Sequence, residues 1–281
     1  MPELPEVETV VRDLRPYVVG RTIARASVHW RRTIAAPTAR EFKREIGGCK
    51  IVALTRRGKF LVFGLRSRGA ARRVSADKYL LVHLRMTGGF SLGLPAAPRD
   101  KHIHVILQFS DGHELRFRDT RKFGRMWLVD DPSRVTGRLG PEPLEISAQE
   151  FAARFERRRG HLKPLLLDQT FLAGLGNIYV DESLWYARLH PLRAAETLTR
   201  AERRRLYRAI QQVLTRAIAV GGTSIDVMYK RVNGASGGFQ DSLRAFDREK
   251  RPCRRCGTPI QKTVVGQRGT HFCPACQKRA G

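Results

Sequence analysis

The sequence predicts an α+β protein built from more than one domain, on three observations. Residues 21 to about 130 break into short β-rich segments, helical periodicity takes over from residue 147, and the C-terminal stretch carries four cysteines in two close pairs. A chain of 281 residues with 42% hydrophobic content can build two medium domains with proper cores.

In chain order, a helix comes first. Pro5 suits an opening helical position, Glu6 and Glu8 complement the positive end of the helix dipole, and Val7, Val10, Val11, Leu14 and Val18 recur at helical spacing until Gly20 stops the run. Strands are expected over 21–30, 50–55, 60–65, 79–84, 103–109, 113–117 and 125–129, with Ser110-Asp111-Gly112 as a hairpin turn. This pattern reads as an antiparallel sandwich or barrel of about eight strands. Residues 66–78, rich in Arg, Ser, Gly and Ala, read as an exposed loop, and Cys49 reads as a small buried side chain.

Gly140-Pro141-Glu142-Pro143 marks a linker, and helices are expected over 147–158, 162–169, 177–189 and 199–220. Between the second and third, Phe171 to Asn177 supplies glycines for tight turns and an Asn able to cap the next helix, a corner suited to an anion. Tyr229 to Gly238 reads as a loop. The expected divisions are 1–136, a linker at 137–146, 147–240 and 241–281.

Lys and Arg total 53 against 26 Asp and Glu, a formal charge of +27. An excess this large implies a polyanionic partner. Nucleic acid is favoured over a membrane because no apolar run approaches about 18 residues and the charges recur along the whole chain. Binding should weaken steeply with salt. The N-terminus lacks the basic and apolar regions of a secretory signal, so five cysteines in a reducing interior imply no disulfide framework.

Two features carry chemistry. Cys253-x2-Cys256 and Cys273-x2-Cys276, separated by 16 residues, supply four thiolates to one tetrahedral zinc. Four protein ligands close the coordination sphere, so the metal is structural and His271 is surplus to it. Residues between the knuckles suit a β-hairpin with Gln267-Arg268-Gly269 at its tip. At the other end, removal of Met1 would leave Pro2 as a secondary amine beside the carboxylate of Glu3. An α-amino group titrates near about 7.7 to 8.0, so part of it is neutral at physiological pH. Condensed with an aldehyde carbon, a secondary amine gives an iminium that stays cationic and acts as an electron sink.

The chain resembles the formamidopyrimidine-DNA glycosylase family. The carriers are Pro2-Glu3-Leu4-Pro5-Glu6-Val7-Glu8-Thr9, Arg57-Gly58-Lys59-Phe60, His83-Leu84-Arg85-Met86-Thr87-Gly88, Asp119-Thr120-Arg121-Lys122-Phe123-Gly124, Gly176-Asn177-Ile178-Tyr179 and the cysteine pattern. The likeness spans essentially all of the chain. It implies an N-terminal catalytic β-sandwich, a helix-two-turn-helix element over 162–189 and a zinc finger over 253–276.

The implied activity is excision of oxidised purines, such as 8-oxoguanine and formamidopyrimidines, from double-stranded DNA, followed by strand cleavage through successive eliminations. Pro2 is the implied nucleophile and Glu3 the proton donor, with Glu6 a possible supporting acid. Lys59 and Arg268 complete the implied catalytic set as phosphate contacts, and His83 and Asn177 are similar in role. Met86, Arg121 and Phe123 match residues that fill the gap left by the extruded nucleotide, and Lys163 matches a lysine near the base pocket. Residues 223–239 cover the loop that closes over the base, with Gly237-Gly238-Phe239 where the family more often has Gly-Tyr-Phe. The implied protein is a monomer with one structural zinc, working on DNA in the bacterial cytoplasm. The competing readings are an endonuclease VIII-like enzyme for oxidised pyrimidines, which more often has Gly at the position of Leu4, and a non-catalytic zinc-ribbon protein that binds lesions.

Overall fold

The computed structural model describes residues 1–69, 76–95, 98–156, 158–224 and 231–279. Parts of the expected loops at 66–78 and 223–239 lie outside the described residues. The chain divides into two compact units, one of residues 1–138 and 223–237, the other of residues 139–222 and 238–281.

The first unit opens with α1 (Leu4–Val18), and the five apolar residues that predicted it are all buried. Gly20 ends it at φ +92°, a conformation an L side chain resists. Next come β1 (Ile23–Val28), β2 (Ile34–Ala36), α2 (Ala39–Ile46), β3 (Lys50–Arg57), β4 (Phe60–Arg66), β5 (Lys78–His83), β6 (Gly88–Gly93), β7 (Ile103–Phe109), β8 (Glu114–Asp119), β9 (Arg125–Val129) and α3 (Ser133–Thr136). They form a four-stranded sheet ordered β1-β7-β8-β6 and a five-stranded sheet ordered β2-β9-β5-β4-β3. One hydrophobic core holds both together: α1 and α2 contribute Val10, Leu14, Phe42 and Ile46, and the sheets contribute residues such as Phe63, Leu80, Leu107 and Phe117. Cys49 belongs to this core, and burial pushes its thiol pKa up.

This is the expected sandwich, with additions the periodicity did not give. β2 and β6 were absent from the expected strands, as was α2, and β2 pairs with β9 in parallel. The three residues of β2 are too few to show alternation. β6 reads Gly-Gly-Phe-Ser-Leu-Gly, whose glycines look like a turn. Gly88 is required there by a close approach, since a Cβ would meet Leu84 O at 2.4 Å.

The second unit contains α4 (Ala148–Ala153), α5 (Leu162–Leu167), α6 (Asn177–Ala187) and α7 (Arg200–Ala219), followed by the hairpin of β10 (Gln261–Val265) and β11 (Arg268–Phe272). Ser147 and Thr199 cap α4 and α7 in reciprocal boxes with Glu150 and Glu202. Each of the four helices lies within or close to its expected span. The hairpin is offset from expectation. Its turn is Gly266-Gln267, both at positive φ (56° and 62°), so Arg268 is the first residue of β11, paired with Val265. No helix among the described residues is long and apolar enough to cross a membrane.

Candidate nucleic-acid interface and zinc site

In the first unit the N-terminus is pinned by carboxylates. Glu3 is the N-cap of α1, and its N–H donates to Glu6 Oε2 at 2.8 Å. The other oxygen of Glu6 accepts the N–H of Thr223 at 2.8 Å, tying the segment that begins at Thr223 to the first turn of α1. After the stretch outside the described residues, Arg231 forms a bidentate pair with Asp13 at 2.7 and 3.0 Å, two turns further along the same helix. Pro2, Glu3 and Glu6 are all buried, whereas Met1 is exposed.

α1 is laid on the five-stranded sheet by Arg15, which donates to Leu54 O at 3.0 Å, and by Arg56, whose Nε lies 3.2 Å from Glu8. The β3–β4 hairpin turns through Gly58 and Lys59, with Gly58 at φ +55°, and Lys59 is buried there. Phe60 pairs with His83 across the next two strands, and their rings meet edge-on at 4.9 Å. His83 is mostly buried. Burial, reinforced by the positive charges of Arg85 and Lys59, lowers its pKa to about 3, so its ring is neutral at physiological pH. Its Nδ1 accepts the Arg85 N–H at 3.0 Å, which places the remaining proton on Nε2 as an available donor.

Two turns of the same unit display Met86, Arg121 and Phe123. All three are exposed, and the Arg121 guanidinium lies 4.9 Å from the Phe123 ring centroid. Large apolar side chains held in solvent beside a planar cation suit insertion into a base stack.

In the second unit Asn177 opens α6, with Gly176 as N-cap. The Asn177 Nδ2 donates to Gly269 O at 2.9 Å, and Lys163 Nζ donates to the same carbonyl at 3.0 Å. β11 is therefore fastened to α5 and α6 immediately beside Arg268, which is itself exposed. Lys163 is fully buried and paired with Asp181 at 2.6 Å, while the other Asp181 oxygen accepts the His271 N–H at 2.9 Å. One helical residue on, buried Glu182 accepts from the backbone amides of Arg244, Ala245 and Phe246. Sequence reasoning passed over Asp181 and Glu182. Their signal is an acidic pair at mid-helix between the apolar stretches Ile178 to Val180 and Leu184 to Trp185.

The sulfurs of Cys253, Cys256, Cys273 and Cys276 all lie within 4.8 Å of one another, with Cys256 3.5 Å from Cys273 and 3.4 Å from Cys276. Four ligands at about 2.3 Å from a tetrahedral zinc stand roughly 3.8 Å apart, so the set fits that ion. Backbone amides of Arg255 and Cys256 directed at Cys253 favour its thiolate form. His271 is engaged with Asp181 and stands outside this set.

Family models match the chain in three consecutive segments: the formamidopyrimidine-DNA glycosylase N-terminal domain over residues 1–126, the H2TH domain of the same enzymes over 139–229, and a zinc finger found in FPG and IleRS over 251–279. The chain belongs to the formamidopyrimidine-DNA glycosylase family. It is 45% identical over 287 residues to the formamidopyrimidine-DNA glycosylase of Enterococcus faecalis, covering all of this chain and 99% of that protein. Among solved structures it superimposes with a TM-score of 0.89 on wild-type Lactococcus lactis Fpg (MutM) in complex with an N7-benzyl-Fapy-dG containing DNA, at 37% identity over 99% of this chain and 100% of that one. The match to MutM in complex with carbocyclic 8-oxo-G containing DNA has a TM-score of 0.88 and 38% identity, with the same coverage. One zinc held by the four cysteines accords with the zinc-finger match.

Proposed function

We propose that this protein is a base-excision repair enzyme, a DNA glycosylase and AP lyase that removes oxidised purines such as 8-oxoguanine and formamidopyrimidines from double-stranded DNA. The observation that carries the reading is the full-length relationship to such enzymes, supported by the buried carboxylates of Glu3 and Glu6 that follow Pro2 in the chain. The purine reading is supported over the pyrimidine one by Fapy-dG and 8-oxo-G in the DNA of the related complexes.

With Met1 removed, the Pro2 nitrogen attacks sugar C1′, the damaged base leaves, and Glu3 gives the proton that opens the sugar ring. The resulting iminium acidifies the C2′ hydrogen. Loss of that proton expels the 3′ phosphate, and a second elimination expels the 5′ phosphate. Glu6 fixes the Glu3 backbone and so sets the carboxylate beside the nucleophile. The neutral His83 offers Nε2–H to a phosphate oxygen, while Lys59, Arg268 and the amide end of α6 at Asn177 supply positive charge to the backbone. Met86, Arg121 and Phe123 occupy the gap left by the extruded nucleotide, offsetting an unstacking cost of a few kcal/mol. Zinc, held by the four cysteines, fixes the hairpin that presents Arg268 and takes no part in bond breaking. The enzyme acts as a monomer on the DNA of the bacterial cytoplasm.

The test is borohydride trapping on an 8-oxoguanine duplex, with mass spectrometry to locate the adduct. A covalent complex on Pro2 is expected, and Pro2→Gly should impair base excision and strand cleavage while leaving salt-sensitive binding to abasic DNA nearly intact. Trapping through another residue, or faster cutting of a thymine glycol duplex, would overturn the assignment.

A further inference from the structure

Met86 and the pair Arg121 and Phe123 come from different connections, the turn between β5 and β6 and the turn between β8 and β9. To fill one gap together they must keep a fixed spacing. Both turns contain a non-glycine residue in the left-handed region, Arg85 at φ 57° and Lys122 at φ 60°, so neither holds its shape by local preference alone.

What joins them is Asp119, the last residue of β8, whose side chain is wholly buried. Its Oδ1 accepts from the Thr87 hydroxyl and from the Arg121 N–H at 3.1 Å, and its Oδ2 accepts from the Gly124 N–H at 2.7 Å. The Thr87 oxygen in turn accepts from the same Arg121 N–H at 3.1 Å. Thr87 follows Met86 directly, and Arg121 and Gly124 bracket the turn that carries Phe123. Asp119 itself is fixed by its backbone: its N–H donates to His102 O at 2.9 Å, and its carbonyl lies 2.7 Å from His104 Nε2. Gly124 lies so close that a Cβ there would come within 2.5 Å of the Phe117 ring and 3.1 Å of Asp119 Oδ2. Lys122 adds an outer brace, its Nζ 4.4 Å from the Trp30 ring centroid.

The geometry points to Asp119, acting with Thr87, as the positioning pair that holds Met86 in register with Arg121 and Phe123. Three donors converge on one buried side chain, and only an acceptor-only carboxylate satisfies all of them. An amide in its place would turn an NH2 toward at least one of these donors. Holding both turns in the free enzyme removes the ordering cost from the moment of DNA binding. Asp119 touches no reacting atom. The inference rests on the gap-filling role proposed for the three exposed residues.

The test compares Asp119→Asn, Thr87→Val and Thr87→Ser with Arg121→Ala and Phe123→Ala. Single-turnover excision is followed on an 8-oxoguanine duplex carrying 2-aminopurine beside the lesion, and cleavage is followed on a single-stranded abasic oligonucleotide, which has no orphaned base to accommodate. Asp119→Asn and Thr87→Val should slow duplex excision and the 2-aminopurine signal at least about tenfold, with single-strand cleavage unchanged. Thr87→Ser should restore the wild-type rate. Adding Asp119→Asn to Arg121→Ala should cost less than the product of the two single effects, because Arg121→Ala already removes one of the three side chains that Asp119 holds in register. Wild-type excision by both Asp119→Asn and Thr87→Val, an equal loss on single strands, or full multiplication of the two effects would overturn the inference. If Asp119→Asn fails to fold, Thr87→Val, which keeps the side-chain shape, decides alone. Wild-type excision by Arg121→Ala and Phe123→Ala would instead remove the gap-filling reading on which it rests.

Discussion

Lys163→Met removes an ammonium that has no access to solvent. Lys163 and Asp181 are both fully buried and 2.6 Å apart, and Lys163 also holds Gly269 O at 3.0 Å. Methionine fills nearly the same space, so lost packing contributes little. What remains is a buried carboxylate whose surviving backbone donor is the His271 N–H. Deleting one partner of such a pair costs about 3–5 kcal/mol, a large part of a typical stability of about 5–15 kcal/mol. For a unit of this size that corresponds to a fall in Tm of roughly 6–20 °C. The assay is urea unfolding of zinc-loaded protein, with Asp181→Asn and the double variant measured alongside. The double variant leaves no unpaired charge at these two positions and should recover much of the loss, giving a coupling energy of more than about 1 kcal/mol. A single-variant loss below about 1 kcal/mol, or strict additivity, would refute the reasoning. The structure buries Lys163 where the resemblance implied a lysine at the base pocket, so if stability returns in the double variant and lesion affinity does not, the lysine serves DNA binding through the Gly269 carbonyl it holds beside Arg268.

Cys253→Ala should release the zinc, measured by metal analysis, and weaken DNA binding by loosening the hairpin that carries Arg268; unchanged metal content would remove the four-thiolate assignment. The lowered pKa of His83 makes the folded state bind fewer protons than the unfolded chain below pH about 6.5. Its contribution is therefore present above that value and lost as pH falls from 6.5 toward about 3, at up to about 1.4 kcal/mol per pH unit. His83→Gln should flatten stability over that window, and an unaltered pH dependence would contradict the burial of a neutral ring. Raising salt from about 50 to 200 mM should weaken DNA binding by orders of magnitude, and Lys59→Ala should make the log–log slope shallower by about one unit; an unchanged slope would remove Lys59 from the phosphate contacts.

Features that depend on local spacing were legible in the sequence. α1 followed from five apolar residues at helical intervals, α7 from its period, and the zinc ligands from two Cys-x2-Cys pairs. β2 and β6 were not legible, because three residues in one case and a glycine-rich run in the other give no alternation to detect.

The sequence by itself determined which chemical groups this protein owns: Pro2 next to the carboxylate of Glu3, four paired cysteines, a surplus of cations, and the order of most of the strands and helices. Only the tertiary structure decided which of those groups are exposed and which are spent on holding others in place. Lys163 looks like any basic residue in the sequence and is a buried ion-pair partner, while Asp119 is one letter in a motif and joins two turns. Residues 223–237 lie far from α1 in sequence, yet Thr223 and Arg231 bond to its Glu6 and Asp13. Periodicity reports the face of an element. The partner of a buried charge is set by packing between residues distant in the chain, which no local pattern records.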